Sequence, residues 1–113
     1  MTDQQINIAI AESLGWTNIN HGTVQYTARM PNGKWDIIPN YTSDLNACHE
    51  CVKTLTDAQR TTYREHLSKI WTRDYNSRCG LFPRHDDSVN ATARQRCEAY
   101  LRTIEKWKEK VND

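Results

Sequence analysis

The sequence predicts an α+β domain: a small antiparallel sheet, its hairpin at about 23–38, packed with about four helices. Three observations predict it. Thr2 and Gln5, Thr56 and Gln59, and Thr92 and Gln95 each have the spacing of a capping box, in which the two side chains satisfy free backbone N–H groups at a helix start. Apolar residues follow each box at helical intervals. Between the first two helical stretches, apolar and polar residues alternate into Pro31-Asn32-Gly33, a turn that Asn and Gly enter cheaply. A hairpin plus four helices excludes a doubly wound sheet.

The first helix is expected over residues 3–14, with Ile6, Ala9, Ile10 and Leu14 inward and Gly15 ending the pattern. Trp16 follows and is expected to pack back over that helix. Val24, Tyr26, Ala28 and Met30 mark a half-buried strand. Lys34 to Ile38 returns, with Trp35 and Ile37 on one face and Trp35 in the core. Pro39 closes the strand because it cannot donate to a ladder.

A second helix starts near Ser43 or Asp44 and runs to Leu55, with Leu45, Cys48, Val52 and Leu55 inward. The third runs from the Thr56 box to about Trp71, with Tyr63, Leu67 and Ile70 inward, so two helices abut at a corner. Residues 72–90 are the least regular and are read as a variable loop. The fourth helix runs from the Thr92 box to about Val111, its stripe being Ala93, Cys97, Tyr100, Leu101, Ile104, Trp107 and Val111.

The 113 residues form one domain, 1–113, near the usual size for a single core. Only 37% are hydrophobic and mean hydropathy is -0.86, so the core is economical. Four Trp and five Tyr compensate, each ring burying more area than Ala or Val. Fifteen basic against fourteen acidic residues leave a net charge of +1, without the basic bias of a nucleic-acid polymer binder. No run approaches the roughly 20 apolar residues of a membrane span. The opening Met-Thr-Asp-Gln-Gln lacks signal-peptide character, so the four cysteines are expected reduced, in a cytosolic chain.

Asn40 to Thr56 is the most informative stretch. Asn46, His49 and Glu50 lie at i, i+3 and i+4 of a helix, hence on one face, with Asp44 at its start. Short polar side chains beside unpaired backbone N–H groups suit ligand binding. The competing reading makes Asp44 a cap and the others a hydrogen-bonded surface. Trp16, Tyr26, Trp35 and Tyr41 surround the hairpin and could clamp a base, with Tyr41, outside the strand, the better contact. Arg96 falls near the last helix's free N–H groups, a place for an anion. Arg73, Arg78 and Arg84 could fold with their loop over a phosphate.

Cys48, His49 and Cys51, with Cys79, His85 and Cys97, raise zinc. The second half lacks tight ligand spacing, and helical i, i+3 cysteines commonly serve as small buried apolar residues. No metal and no cofactor is expected. Nucleophile elbow, Gly-rich phosphate loop and paired-carboxylate motif are missing from the sequence, so catalysis is not expected.

Three separated blocks resemble the phage ABA sandwich domain, a family of small bacteriophage proteins. They are Ile6-Asn7-x-Ala9-Ile10-Ala11 with Gly15-Trp16; Pro39-x-Tyr41-x-x-Asp44-Leu45-Asn46-Ala47-x-His49-Glu50; and Ala91-Thr92-Ala93-x-Gln95-Arg96-x-Glu98-Ala99-x-Leu101-Arg102-Thr103. By analogy, the resemblance implies a phage anti-defence protein that sequesters a small nucleotide immune signal of the cyclic ADP-ribose type. Tyr41, Asp44, Asn46, His49, Glu50, Arg96 and Trp16 would bind that ligand. Such a protein would work as a homo-oligomer in the cytoplasm of the infected bacterial host, since the hairpin edge would otherwise be exposed. The alternative is a protein–protein module that inhibits a host factor or assembles with a phage component, residues 72–90 forming its contact surface. DNA binding ranks third.

Overall fold

The computed structural model describes residues 1–22, 26–79 and 91–108. Four helices and one three-stranded antiparallel sheet make an α+β fold: α1 Asp3–Ser13, β1 Thr17–His21, β2 Tyr26–Arg29, β3 Trp35–Ile37, α2 Leu45–Val52, α3 Asp57–Cys79 and α4 Ala93–Thr103. The strand order is β1-β2-β3.

All three capping boxes form. The Thr2 hydroxyl accepts from Gln5 N–H while Thr2 N–H donates to Gln5 Oε1, and the same reciprocal pairs link Thr56 with Gln59 and Thr92 with Gln95. The α1 exit is a Schellman turn: Trp16 N–H reaches Ala11 O at 3.0 Å and Gly15 N–H reaches Glu12 O at 3.1 Å. That turn needs a left-handed residue, and Gly15 supplies it at φ +95°. Trp16 is thereby folded into the core beside Ile6 and Ile10, as expected.

The hairpin turn is as predicted. Gly33 N–H donates to Met30 O at 2.9 Å, Met30 N–H to Lys34 O at 2.7 Å, and Gly33 sits at φ +88°. This fixes the register, setting Ala28 opposite Asp36, Arg29 opposite Trp35 and Thr27 opposite Ile37. Ala28 is fully buried, so its row faces the helices, and the Trp35 and Ile37 rows face away. Trp35 is 58% exposed and Ile37 46%. The expectation of a core Trp35 is therefore corrected; Ile38, beyond the strand, turns inward instead. Val24 lies outside the described residues.

β1 escaped the sequence reading. It pairs antiparallel with β2 but carries a bulge between Thr17 and Asn20, where Asn18 adopts φ +52°. The hairpin touches the α1 region at two points: Tyr26 donates to Gln4 Oε1 at 3.1 Å, and Pro31 Cγ lies 3.2 Å from where a Cβ on Gly15 would sit. Asn7 of α1 also pins the following loop, donating to Asn40 Oδ1 at 3.1 Å and accepting from Thr42 N–H at 3.2 Å.

α4 is the central element. It packs on α1, α2 and α3, and every residue from Cys97 to Leu101 is buried. Its partners supply Ile6 and Ile10 from α1, Cys48 and Cys51 from α2, and Tyr63, Leu67, Ile70 and Trp71 from α3. Leu45, expected inward, is 47% exposed, because α2 starts there and its first turn lies beyond the helical seam.

Three helix ends differ from expectation by more than one residue, α2 stopping at Val52 instead of Leu55. α3 continues through residues 72–79 instead of yielding to a loop at 72. Arg73 explains the extension, since from this added segment its guanidinium reaches Glu98 on α4. α4 ends at Thr103, well short of Val111. Glu105 takes φ +60°, and Lys106 N–H to Leu101 O at 2.7 Å closes a Schellman turn without glycine. Residues 80–90, including Arg84 and His85, and Val111 lie outside the described residues, as do the side chains of Arg78 and Cys79.

Candidate functional site

A cleft of about 510 Å³ opens where the C-terminal ends of α1 and α4 meet the corner between α2 and α3. Leu14, Leu55 and Ile104 give it apolar walls, and Ser13, Thr54, Gln59, Tyr100 and Lys106 bring polar groups. Each is placed by local structure. Ser13 ends α1 with its Oγ donating to Ile10 O at 2.6 Å, and that oxygen lies 3.1 Å from the Tyr100 hydroxyl. Thr54 likewise back-bonds to Cys51 O at 2.6 Å. Gln59 is held through Oε1 by the Thr56 cap, so its amide nitrogen remains to face a ligand. Lys106, brought round by the left-handed Glu105, supplies a positive charge at the rim.

None of the seven residues singled out from sequence lines this cleft. Asp44 caps α2, its Oδ1 accepting from Asn46 N–H at 3.0 Å and Ala47 N–H at 3.3 Å. Asn46, His49 and Glu50 are exposed on the outer side of α2, and Glu50 pairs with Lys53 at 3.1 Å. Tyr41 and Trp16 are buried in the core. Burial pushes the Tyr41 phenol well above its ordinary value, and the neighbouring Cys51, Tyr100, Cys97 and Cys48 add to that effect. Arg96 points inward, its Nε donating to Ala91 O at 3.2 Å, with Tyr63 and Cys48 in its electrostatic reach. The helical spacing of Asn46, His49 and Glu50 is thus real, but the shared face carries no described concavity with the two rings.

Beneath α2 lies a sulfur cluster. Cys48, Cys51 and Cys97 are free and buried. Cys48 and Cys97 Sγ are 3.3 Å apart, and each approaches Tyr41 O, at 2.8 and 3.2 Å. His49, about 100° around the helix from Cys48, is exposed. Among the described residues, no group of three or more His, Cys, Asp or Glu side chains is arranged to hold a metal ion.

The outer sheet face forms a third feature. By register, Thr17, Arg29 and Trp35 make one cross-strand row, and Asn20, Thr27 and Ile37 another. The free edge of β3 is blunted, since Asp36 Oδ1 accepts the Ile37 N–H at 2.7 Å. The face of the hairpin, with Trp35 and Ile37, is exposed as well.

Sequence reasoning missed the cleft because its polar groups come from four elements. Only the helix-ending signals near Ser13 and Gly15 hinted that chain ends gather there. Comparison with family models, with curated proteins and with solved structures finds no match. No helix among the described residues is long and apolar enough to cross a membrane.

Proposed function

We propose that the chain is a phage anti-defence protein that captures a small nucleotide immune signal of the cyclic ADP-ribose type, without catalysis. It acts in the cytoplasm of the infected host. The observation that carries the binding half of this reading is the cleft at the α1–α4 end. Its volume of about 510 Å³ falls in the range typical of small-molecule sites, and its mix of apolar walls and a few convergent polar groups is what such sites need. The Ser13–Tyr100 hydroxyl pair and the Gln59 amide suit ribose or base edges, and Lys106 suits a phosphate. The nucleotide class and the phage origin rest on the resemblance carried by the three sequence blocks.

A homo-oligomer joined through the outer sheet face belongs to the same reading. Trp35, Ile37 and Arg29 present there the residue types that anchor protein interfaces. Native mass spectrometry of the protein from infected cells tests both halves. A retained nucleotide on an oligomer supports the reading; a bare monomer that takes up no added cyclic nucleotide overturns it.

The same face favours a second reading, a module that binds a host or phage polypeptide. A single stoichiometric partner, lost on Trp35→Lys, with no nucleotide retained by the wild type, would establish this reading over the first.

A further inference from the structure

We propose that Cys48 and Cys97 form a disulfide when the protein meets a peroxide, covalently joining α2 to α4. The inference is independent of the proposed function.

Cys51, the C-x-x-C neighbour, is the cysteine nearest to Cys48 along the chain. The fold arranges otherwise. Cys51 Sγ donates to Cys48 O at 3.0 Å within its own helix, and burial, reinforced by Cys48, pushes its thiol up to about 12. Cys97 arrives instead from 49 residues away and places its Sγ 3.3 Å from that of Cys48. Bonding requires closure from there to about 2.0 Å. The shared contact with Tyr41 O holds both sulfurs at this point.

The two thiols are not equivalent. The hydrogen bond with Cys97 holds the Cys48 thiol below its ordinary value, against burial and with help from the Arg96 charge. The same hydrogen bond, then burial, pushes the Cys97 thiol up. Cys48, which the Arg96 charge favours as thiolate, attacks first, and exchange of the two roles gives the same product. The Cys48 electron pair bonds one peroxide oxygen, which keeps its hydrogen; the O–O bond breaks, and the second oxygen leaves as water with its own hydrogen and the Cys48 proton. Cys48 is then a sulfenic acid. Cys97 sulfur attacks that sulfur, the S–O bond breaks, and the hydroxyl leaves as a second water with the Cys97 proton. In total two thiols lose two electrons and two protons, and one peroxide becomes two waters. Both sulfurs are fully buried, so the reaction requires local opening of the seam between α2 and α4.

The test is a disulfide map of wild-type protein exposed to hydrogen peroxide, unfolded in alkylating reagent and digested without reductant. The expected result is a Cys48–Cys97 linked peptide and a raised urea midpoint, both reversed by dithiothreitol. Cys51→Ala should keep the link, and Cys97→Ala should abolish it. Recovery of Cys48 and Cys97 fully alkylated after peroxide, or linkage of Cys48 to Cys51 or Cys79, would overturn the proposal.

Discussion

Arg73 grips Glu98 with both terminal nitrogens, Nη1 to Oε2 at 2.8 Å and Nη2 to Oε1 at 3.1 Å. Arg102 adds Nε to Oε2 at 2.8 Å and lays its guanidinium 5.3 Å from the centre of the Trp107 ring. Arg73 also holds Asp74 at 2.9 Å, and Asp74 accepts from Gln95 Nε2 at 2.9 Å. The network ties the end of α3 to the middle of α4 around a carboxylate that is 2% exposed.

Burial alone would raise the Glu98 carboxyl, but the hydrogen bonds and charges of Arg73 and Arg102 outweigh it and leave it below its usual range. A lowered folded value contributes stability that is fully present above the unfolded carboxylate value of about 4.3 and is lost as pH falls through the folded one. Urea midpoints at pH 7 and pH 3 should therefore differ more for wild type than for Glu98→Gln. At pH 7 the substitution should cost about 1–3 kcal/mol, below the usual range for a broken buried pair, because both arginines can still reach water.

Helix ends give a second prediction. Glu105 holds a left-handed conformation that glycine adopts freely, so Glu105→Gly should stabilise by about 0.5–1 kcal/mol in chemical denaturation. Gly15→Ala should do the reverse, losing about 1–2 kcal/mol, since φ is +95° and Pro31 Cγ stands 3.2 Å from the new Cβ.

Asp44 is a cap, so Asp44→Ala should lower stability by about 1 kcal/mol. Asn46→Ala and His49→Ala, on an exposed face, should stay within about 0.5 kcal/mol of wild type and leave ligand capture unchanged. Loss of capture in either variant would return the site to α2.

The outer sheet face predicts association without a stability cost. Trp35→Lys with Ile37→Thr should leave the urea midpoint nearly unchanged, because neither side chain enters the core. Sedimentation at increasing concentration should show the variant monomeric where wild type self-associates.

What the sequence disclosed was local. Capping boxes, the Pro31-Asn32-Gly33 turn and the Gly15 stop each act within a few residues, so they could be read directly. What it concealed depended on partners. Alternation put Trp35 and Ile37 on one face but could not say which face; the pairing of Ala28 with Asp36 decided that. The last turns of α3 look like loop until Arg73 meets Glu98 across the helix seam. β1 has too few apolar residues and a bulge at Asn18, so no alternation announces it. For the site, spacing correctly grouped Asn46, His49 and Glu50, yet no local rule could reveal that Tyr41 turns inward.

Calorimetric titration with cyclic ADP-ribose-type nucleotides, comparing wild type with Lys106→Glu, tests the central claim most directly. Lys106 is exposed, so the variant should fold normally. Wild type should release or absorb heat with a saturable one-site profile, and Lys106→Glu should bind at least tenfold more weakly, about 1.4 kcal/mol. A flat trace for wild type, or equal binding by both proteins, would contradict capture in the α1–α4 cleft.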